Sequence, residues 1–132
     1  MHDQRLRPAE RLRHSSDFQR TFQQGNKLVT SLFVVYVLAN RQPCSRFGLA
    51  VSKRVGKAVV RNLVKRRLRE LFRQHKFLLD PPADVVVVAR REAAQAAAEM
   101  FTQQFVSLLH HCQATQHTEG VTVLQACHKE RS

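Results

Sequence analysis

The residues best placed to do chemistry lie in one stretch, Ser52-Lys53-Arg54-Val55-Gly56-Lys57-Ala58-Val59-Val60-Arg61-Asn62-Leu63-Val64-Lys65-Arg66-Arg67-Leu68-Arg69-Glu70-Leu71-Phe72-Arg73. From Ala58 onward, Val60, Val64, Leu68, Leu71 and Phe72, with Leu63 beside them, keep to one side at the spacing of a core-facing helix. Arg61, Lys65, Arg69 and Arg73 recur every fourth residue on the other side, flanked by Asn62 and Arg66. Like charges one turn apart repel by a few tenths of a kcal/mol per pair, and within the stretch only Glu70 offsets them. A polyanion completes such a face. Lys53, Arg54 and Lys57 add cations in the preceding loop, at the helix end whose backbone N–H groups favour phosphate. A solvated charged face is the ordinary alternative, but a face of almost one sign argues for nucleic acid. Arg67 lands near the apolar side and must snorkel its head group to water.

No other set of residues composes a self-contained active site. The sequence has no Gly-rich P-loop and no dinucleotide fingerprint. Glu70, Asp80, Asp84, Glu92 and Glu99 are dispersed, without the pairing that holds two Mg²⁺ ions in a protein-only nuclease. His110, His111 and Cys112, with His117, Cys127 and His128 further on, match no common zinc spacing. They read as a helix end followed by a polar tail. The expectation is no catalytic residue and no protein-bound metal.

The chain has 132 residues, enough for one domain with one core, and a formal net charge of +12. No apolar run approaches the roughly twenty residues that span a membrane. Met1-His2-Asp3-Gln4-Arg5 lacks the apolar segment of a signal peptide. Three cysteines, Cys44, Cys112 and Cys127, make no disulfide framework, so a reducing cytoplasm is expected. A membrane-surface helix is disfavoured because the basic stretch has no Trp and its apolar side is needed for a core.

These residues need elements to position them. Residues 1–13 form a basic arm, expected to be weakly ordered. Ser16 and Gln19 read as a capping box, opening a short helix that Gly25 stops. That helix sets Phe18 and Phe22 one turn apart, a spacing that usually means core. Lys27–Thr30 reads as a short strand. Leu32–Leu38 is a strand with Leu32, Val34, Tyr36 and Leu38 on one face and Phe33, Val35 and Val37 on the other. Arg46–Ser52 is a further strand, in which Gly48 permits close approach. Asp80-Pro81-Pro82 ends the basic helix. Asp84–Arg90 reads as a strand covered on both faces. Glu92–His111 reads as a second long helix whose buried side runs through Ala97, Met100, Phe101, Gln104, Phe105, Leu108 and Leu109. Residues 14–112 form the domain and 113–132 a polar, flexible tail. Val121–Leu124 is a brief strand or helix candidate within that tail.

The segment from Lys53 to Arg73 closely resembles the signature of the bacterial ribonuclease P protein subunit. Its motif is a basic loop with Gly56, then Ala58-Val59, Arg61-Asn62, Lys65-Arg66, Arg69-Glu70 and Phe72. Arg13, Asp17-Phe18 and Phe22 with Gly25 look like the family's first helix. Phe33-Val34-Val35-Tyr36, Gly48-Leu49-Ala50-Val51-Ser52-Lys53 and Asp84–Arg90 look like its strands. The resemblance implies an α+β domain of αβββαβα order, similar to a ribosomal-protein domain, with a left-handed βαβ crossover that departs from the usual right-handed rule. It implies a cofactor subunit for a catalytic RNA that, with Mg²⁺, hydrolyses the phosphodiester bond releasing the 5′ leader of precursor tRNA. The Mg²⁺ belongs to the RNA-containing holoenzyme, with one protein copy expected per RNA. Carried over, Lys53, Arg54, Arg61, Asn62, Lys65, Arg66 and Arg69 face the catalytic RNA, joined on charge grounds by Lys57 and Arg73. Phe18, Phe22 and Tyr36 floor a cleft for the single-stranded leader. The family usually ends soon after its last helix, so the tail departs from the pattern.

Two other readings are weaker. A structural RNA-binding protein of the ribosome would use the same fold without accelerating leader release. A DNA-binding protein would present a helix-turn-helix, which the sequence does not show.

Overall fold

The computed structural model describes residues 8–40, 42–79, 81–115 and 122–123. Helix α1 spans Ser15–Gln24, followed by strands β1 (Asn26–Val29), β2 (Phe33–Ala39) and β3 (Arg46–Ala50). Helix α2 (Ala58–His75), strand β4 (Ala83–Ala89), helix α3 (Ala98–Thr115) and the two-residue strand β5 (Thr122–Val123) complete the order. The expected αβββαβα sequence is therefore present, with β5 added.

The strands run β3-β4-β2-β1-β5 across the sheet. β3 and β4 are parallel and joined through α2, forming the βαβ unit. β4 and β2 are antiparallel in a seven-pair register from Phe33↔Ala89 to Ala39↔Ala83. As its near-continuous valines require, β4 lies inside the sheet and is buried almost throughout. β2 alternates as read, with Phe33, Val35 and Val37 buried and Val34, Tyr36 and Leu38 half-buried.

The two faces of the sheet do different work. One carries the core, where Phe33 meets Phe101 and Phe105 edge-on at 5.1 and 6.1 Å. Phe47 stacks on Phe72 of α2 at 4.3 Å. α2 supplies Val64, Leu68 and Phe72 to this core, and α3 supplies Phe101, Phe105, Leu108 and Leu109. Gln104 is buried too, because its side chain serves Leu32 N–H and Ser31 Oγ. The opposite face, bearing Tyr36, meets α1 through Phe22.

Several expectations are corrected. From Pro8 the basic arm is tied down: Glu10 is buried and ion-paired to Lys76, and Leu12 is buried with its N–H donating to Phe47 O. The apolar Leu12 between Arg11 and Arg13 is what docks it. Ser16 does not cap α1. The helix starts at Ser15, with His14 at the N-cap and no side-chain cap bond. Gly25 does end it, donating to Thr21 O.

The alanine-rich segment after β4 is a 3-10 turn, Arg91–Ala94, and α3 starts only at Ala98. Ala93 is fully buried there, so packing overrides the helical preference of alanine. Ala97 consequently falls exposed just before α3, and Met100 lies on the exposed side of α3, rather than in its buried seam. Leu63 is 37% exposed, outside the core it was grouped with. Of the tail, Thr122 and Val123 pair in parallel with Leu28 and Val29. His117, Cys127 and His128 lie outside the described residues.

Candidate nucleic-acid interface

Three surfaces meet around α2. Its buried stripe is Val64, Leu68 and Phe72. Beside it, toward α1 and β3, run Arg61, Lys65 and Arg69, while Asn62 and Arg66 form the exposed crest. None of Arg61, Lys65 and Arg69 faces the core. Among the described residues no carboxylate lies within ion-pair distance of Lys65, Arg66 or Arg69. Arg73 differs: its Nη2 donates to Glu70 Oε2 at 2.6 Å. That hydrogen bond and the charge of Arg73 hold the Glu70 carboxyl below its ordinary range.

The loop before α2 is built to enter the helix abruptly. Ser52 Oγ accepts from Arg54 N–H and caps a 3-10 turn, Lys53–Val55, with Val55 buried beneath it. Gly56 has φ 154°, a conformation that side-chain-bearing residues rarely adopt. Arg61 Nε donates to Gly56 O at 3.1 Å, so this arginine braces the loop as well as contributing charge. Lys53, Arg54 and Lys57 are exposed around the start of α2, whose N-cap residue Lys57 makes no side-chain cap bond. Among the described residues, the first-turn amides of α2 thus have no N-cap side-chain acceptor.

The aromatic residues lie on the other side of β3. Phe22 meets Tyr36 edge-on, ring centres 4.8 Å apart, and Phe18 lies 6.4 Å from Phe22. Phe18 is half-buried and Phe22 exposed, so neither is an ordinary core residue. Phe18 rests on Gly48, where an added Cβ would sit 2.6 Å from the ring. Lys27 Nζ stands 5.9 Å over the Tyr36 ring, a cation–π contact on the same face. A cavity of about 480 Å³ joins Phe18 to the cationic set, while Phe22 and Tyr36 lie outside its lining. Phe18, Gly48, Lys65 and Arg69 line it together with Arg11 and Arg13. The arginines of the N-terminal arm are a contribution the basic composition hinted at but could not place.

What fixes α1 over the sheet is a buried carboxylate. Asp84 is fully buried in β4 and takes Arg46 Nε and Nη2 at 2.8 and 2.7 Å. Asn40 Nδ2 donates to it at 2.8 Å. From α1, Arg20 approaches Asp84 at 3.6 Å and Asp17 approaches Arg46 at 3.5 Å, while Arg20 and Asp17 pair at 3.0 Å. The hydrogen bonds that Arg46 donates to Asp84 raise the Arg46 pKa against the opposing effect of burial. Arg46 and Asp84 are register partners, but nothing local in the sequence pairs residues so far apart.

The histidine and cysteine cluster has a structural explanation in its described part. Cys112 is buried, and burial pushes its thiol up to about 12. His111 Nδ1 lies 2.8 Å from Ser107 O within the helix. Among the described residues no group of His, Cys, Asp and Glu could hold a metal ion, and no helix is long and apolar enough to cross a membrane.

Fold and surface together define a class: a small basic α+β domain whose unpaired cations gather on one helix beside an aromatic cleft. The sequence profile of the family described as Ribonuclease P matches residues 6–113. The ribonuclease P protein component of Syntrophobacter fumaroxidans is 42% identical over 108 residues, 81% of this chain and 91% of that protein. That of a Geobacillus strain is 40% identical over 101 residues, 76% of this chain and 84% of its own length. The solved ribonuclease P protein of Thermotoga maritima superposes with a TM-score of 0.71 at 33% identity, covering 77% of this chain and 96% of that one. The Staphylococcus aureus protein gives a TM-score of 0.66 at 35% identity, covering 80% and 93%. The chain belongs to the bacterial ribonuclease P protein family.

Proposed function

We propose that this chain is the protein cofactor of a ribonuclease P ribonucleoprotein, in which the RNA performs the cleavage. The observation that carries this reading is the shared cavity at Phe18, where an aromatic ring and the α2 cations Lys65 and Arg69 face one space. Single-stranded nucleic acid is held by that combination, rings for bases and cations for the backbone. Asn62, Arg66 and the loop residues Lys53, Arg54 and Lys57 dock the catalytic RNA. Arg61 reinforces them from the braced loop, and Arg73 is a weaker contributor because Glu70 offsets it. Phe18, Phe22 and Tyr36 hold the 5′ leader of precursor tRNA and so favour precursor over mature tRNA.

Mg²⁺ in such a holoenzyme belongs to the RNA. Among the described residues, Glu10, Asp17, Glu70 and Asp84 are each engaged by a cation of this chain, and no group of His, Cys, Asp and Glu is arranged to hold a metal ion. The protein's contribution is therefore charge neutralisation, positioning of the leader, and the ordering of phosphates.

The test is leader release from precursor tRNA at low salt, with ribonuclease P RNA alone, protein alone and both together. Faster release is expected only with both. A protein that cuts unaided, or one that gives no acceleration beyond that of a polycation, overturns the reading, the second outcome fitting a structural RNA-binding protein instead.

A further inference from the structure

The flank of α2 away from the aromatic cleft carries apolar side chains that neither the core nor phosphate binding uses. Val59 is 80% exposed and Leu63, one turn later, is 37% exposed. They open into a groove of about 1170 Å³ between α2 and the start of α3, floored by Phe101. Arg67 crosses this groove with its guanidinium 5.8 Å from the Phe101 ring, which holds the planar group in place. Arg66 lines the same groove from the crest.

From this geometry we infer that the α2–α3 groove takes one unstacked nucleobase of the RNA that α2 docks, packed on Val59, Leu63 and the Arg67 plane. The inference rests on the RNA-docking reading of α2 and adds a base-binding pocket to it. A phosphate track alone gives no reason for bare apolar side chains beside Asn62 and Arg66. Charge chooses the occupant. Three arginines, Arg66, Arg67 and Arg69, line the groove against one carboxylate, Glu70, which is itself paired with Arg73. That excess suits a base flanked by its own phosphates, whereas a second copy of this chain would oppose a formal charge of +12 with +12. Unpaired bases splayed from RNA loops and bulges stack on guanidinium planes and apolar surfaces in this way.

The experiment measures binding of the full chain to three RNA hairpins with the same stem. One carries a single bulged adenosine, one an abasic residue at that place, and one is fully paired. The adenosine hairpin is expected to bind about tenfold tighter than the abasic one. Val59→Lys and Leu63→Lys should each erase that difference although they add charge. Phe77→Lys adds the same charge at a 72% exposed position outside the groove and should preserve it. Val59 is exposed enough that its substitution leaves the fold intact, which a thermal melt verifies. Equal affinity for the adenosine and abasic hairpins overturns the inference, as does a preference that survives in Val59→Lys. Leader release that is normal without a base preference sinks the groove alone, whereas a base preference without leader release sinks the proposed function alone.

Discussion

Cations on the two sides of β3 are used in opposite ways. Around Asp84, Arg20 and Arg46 have carboxylate partners inside the protein, and the group ties α1 to the sheet. On α2, Lys65, Arg66 and Arg69 have no such partner among the described residues, and their mutual repulsion stands. Charge that is satisfied internally sets geometry. Charge that is left unsatisfied is what the proposed RNA docking draws on. The aromatic cleft sits between the two, positioned by the first set and opening toward the second.

Breaking the internal set should have the largest effect on stability. Asp84→Ala strands Arg46 half-buried without its bidentate partner, at a cost of about 3 kcal/mol, the lower end of the range for a broken buried pair. The Arg46 side chain retains 20% exposure, and the water that reaches it keeps the cost at that lower end. Urea unfolding reads the loss. Since α1 is tied through the same carboxylate, the surviving folded protein should also discriminate precursor from mature tRNA less well. Unchanged stability would mean that the ion pairs bridging α1 to the sheet are ornamental.

That contrast between the two cationic sets is only half legible in the sequence. The α2 side was readable because its charges repeat every turn of a single helix, and β2 because its alternation is local. Asp84 was not, since its meaning depends on Arg46 across a strand pair and on Asn40 at the far end of β2. The same limit applies to Leu63. Helical spacing placed it at the border of the apolar side, but only the position of α3 decides that the border is open there. Ala93 shows the converse, a strong helix former held in a 3-10 turn by burial. The docking of the arm is not legible because Arg11 and Arg13 dominate its composition while the single Leu12 decides its packing.

The next largest effect is at the cleft. Gly48→Ala sets a methyl 2.6 Å from the Phe18 ring and 3.2 Å from Leu12 Cβ, so the ring must move. Overpacking of this kind costs about 1 to 3 kcal/mol. The displaced ring should also narrow the affinity gap between precursor and mature tRNA, by an amount approaching the 1–3 kcal/mol or so that one stacked base contributes. Binding to the RNA component without substrate should change little, because α2 is untouched. If discrimination persists with Phe18 displaced, the leader does not lie on that ring.

On α2 the expectation inverts, with binding lost and stability kept. Arg66→Gln should leave the unfolding free energy within about 0.5 kcal/mol, as for an exposed site without partners. Affinity for ribonuclease P RNA should fall, and the slope of log affinity against log salt should flatten by about 0.7 to 0.9, one phosphate contact. An unchanged slope would place Arg66 off the RNA.

The smallest effect, and the sharpest test of the distinction, is at Glu70, the one carboxylate within the cationic helix. Its pKa is lowered in the fold by Arg73, so the ionised form is favoured and the stabilisation is full above the unfolded value of 4.5. It is lost as pH falls through the lowered folded value. The pair is a partly exposed i, i+3 contact, so only a few tenths of a kcal/mol are at stake. Glu70→Gln should therefore lower stability slightly near neutral pH and flatten its fall below pH 4.5. The same substitution removes the charge that offsets Arg73 and should tighten RNA binding with a steeper salt slope. Stability and affinity moving in opposite directions from one substitution is the signature of a residue that sits between the internally paired set and the set awaiting a polyanion. If both fell together, Arg73 would belong with Arg46 as a structural cation, and the RNA-facing stripe would stop at Arg69.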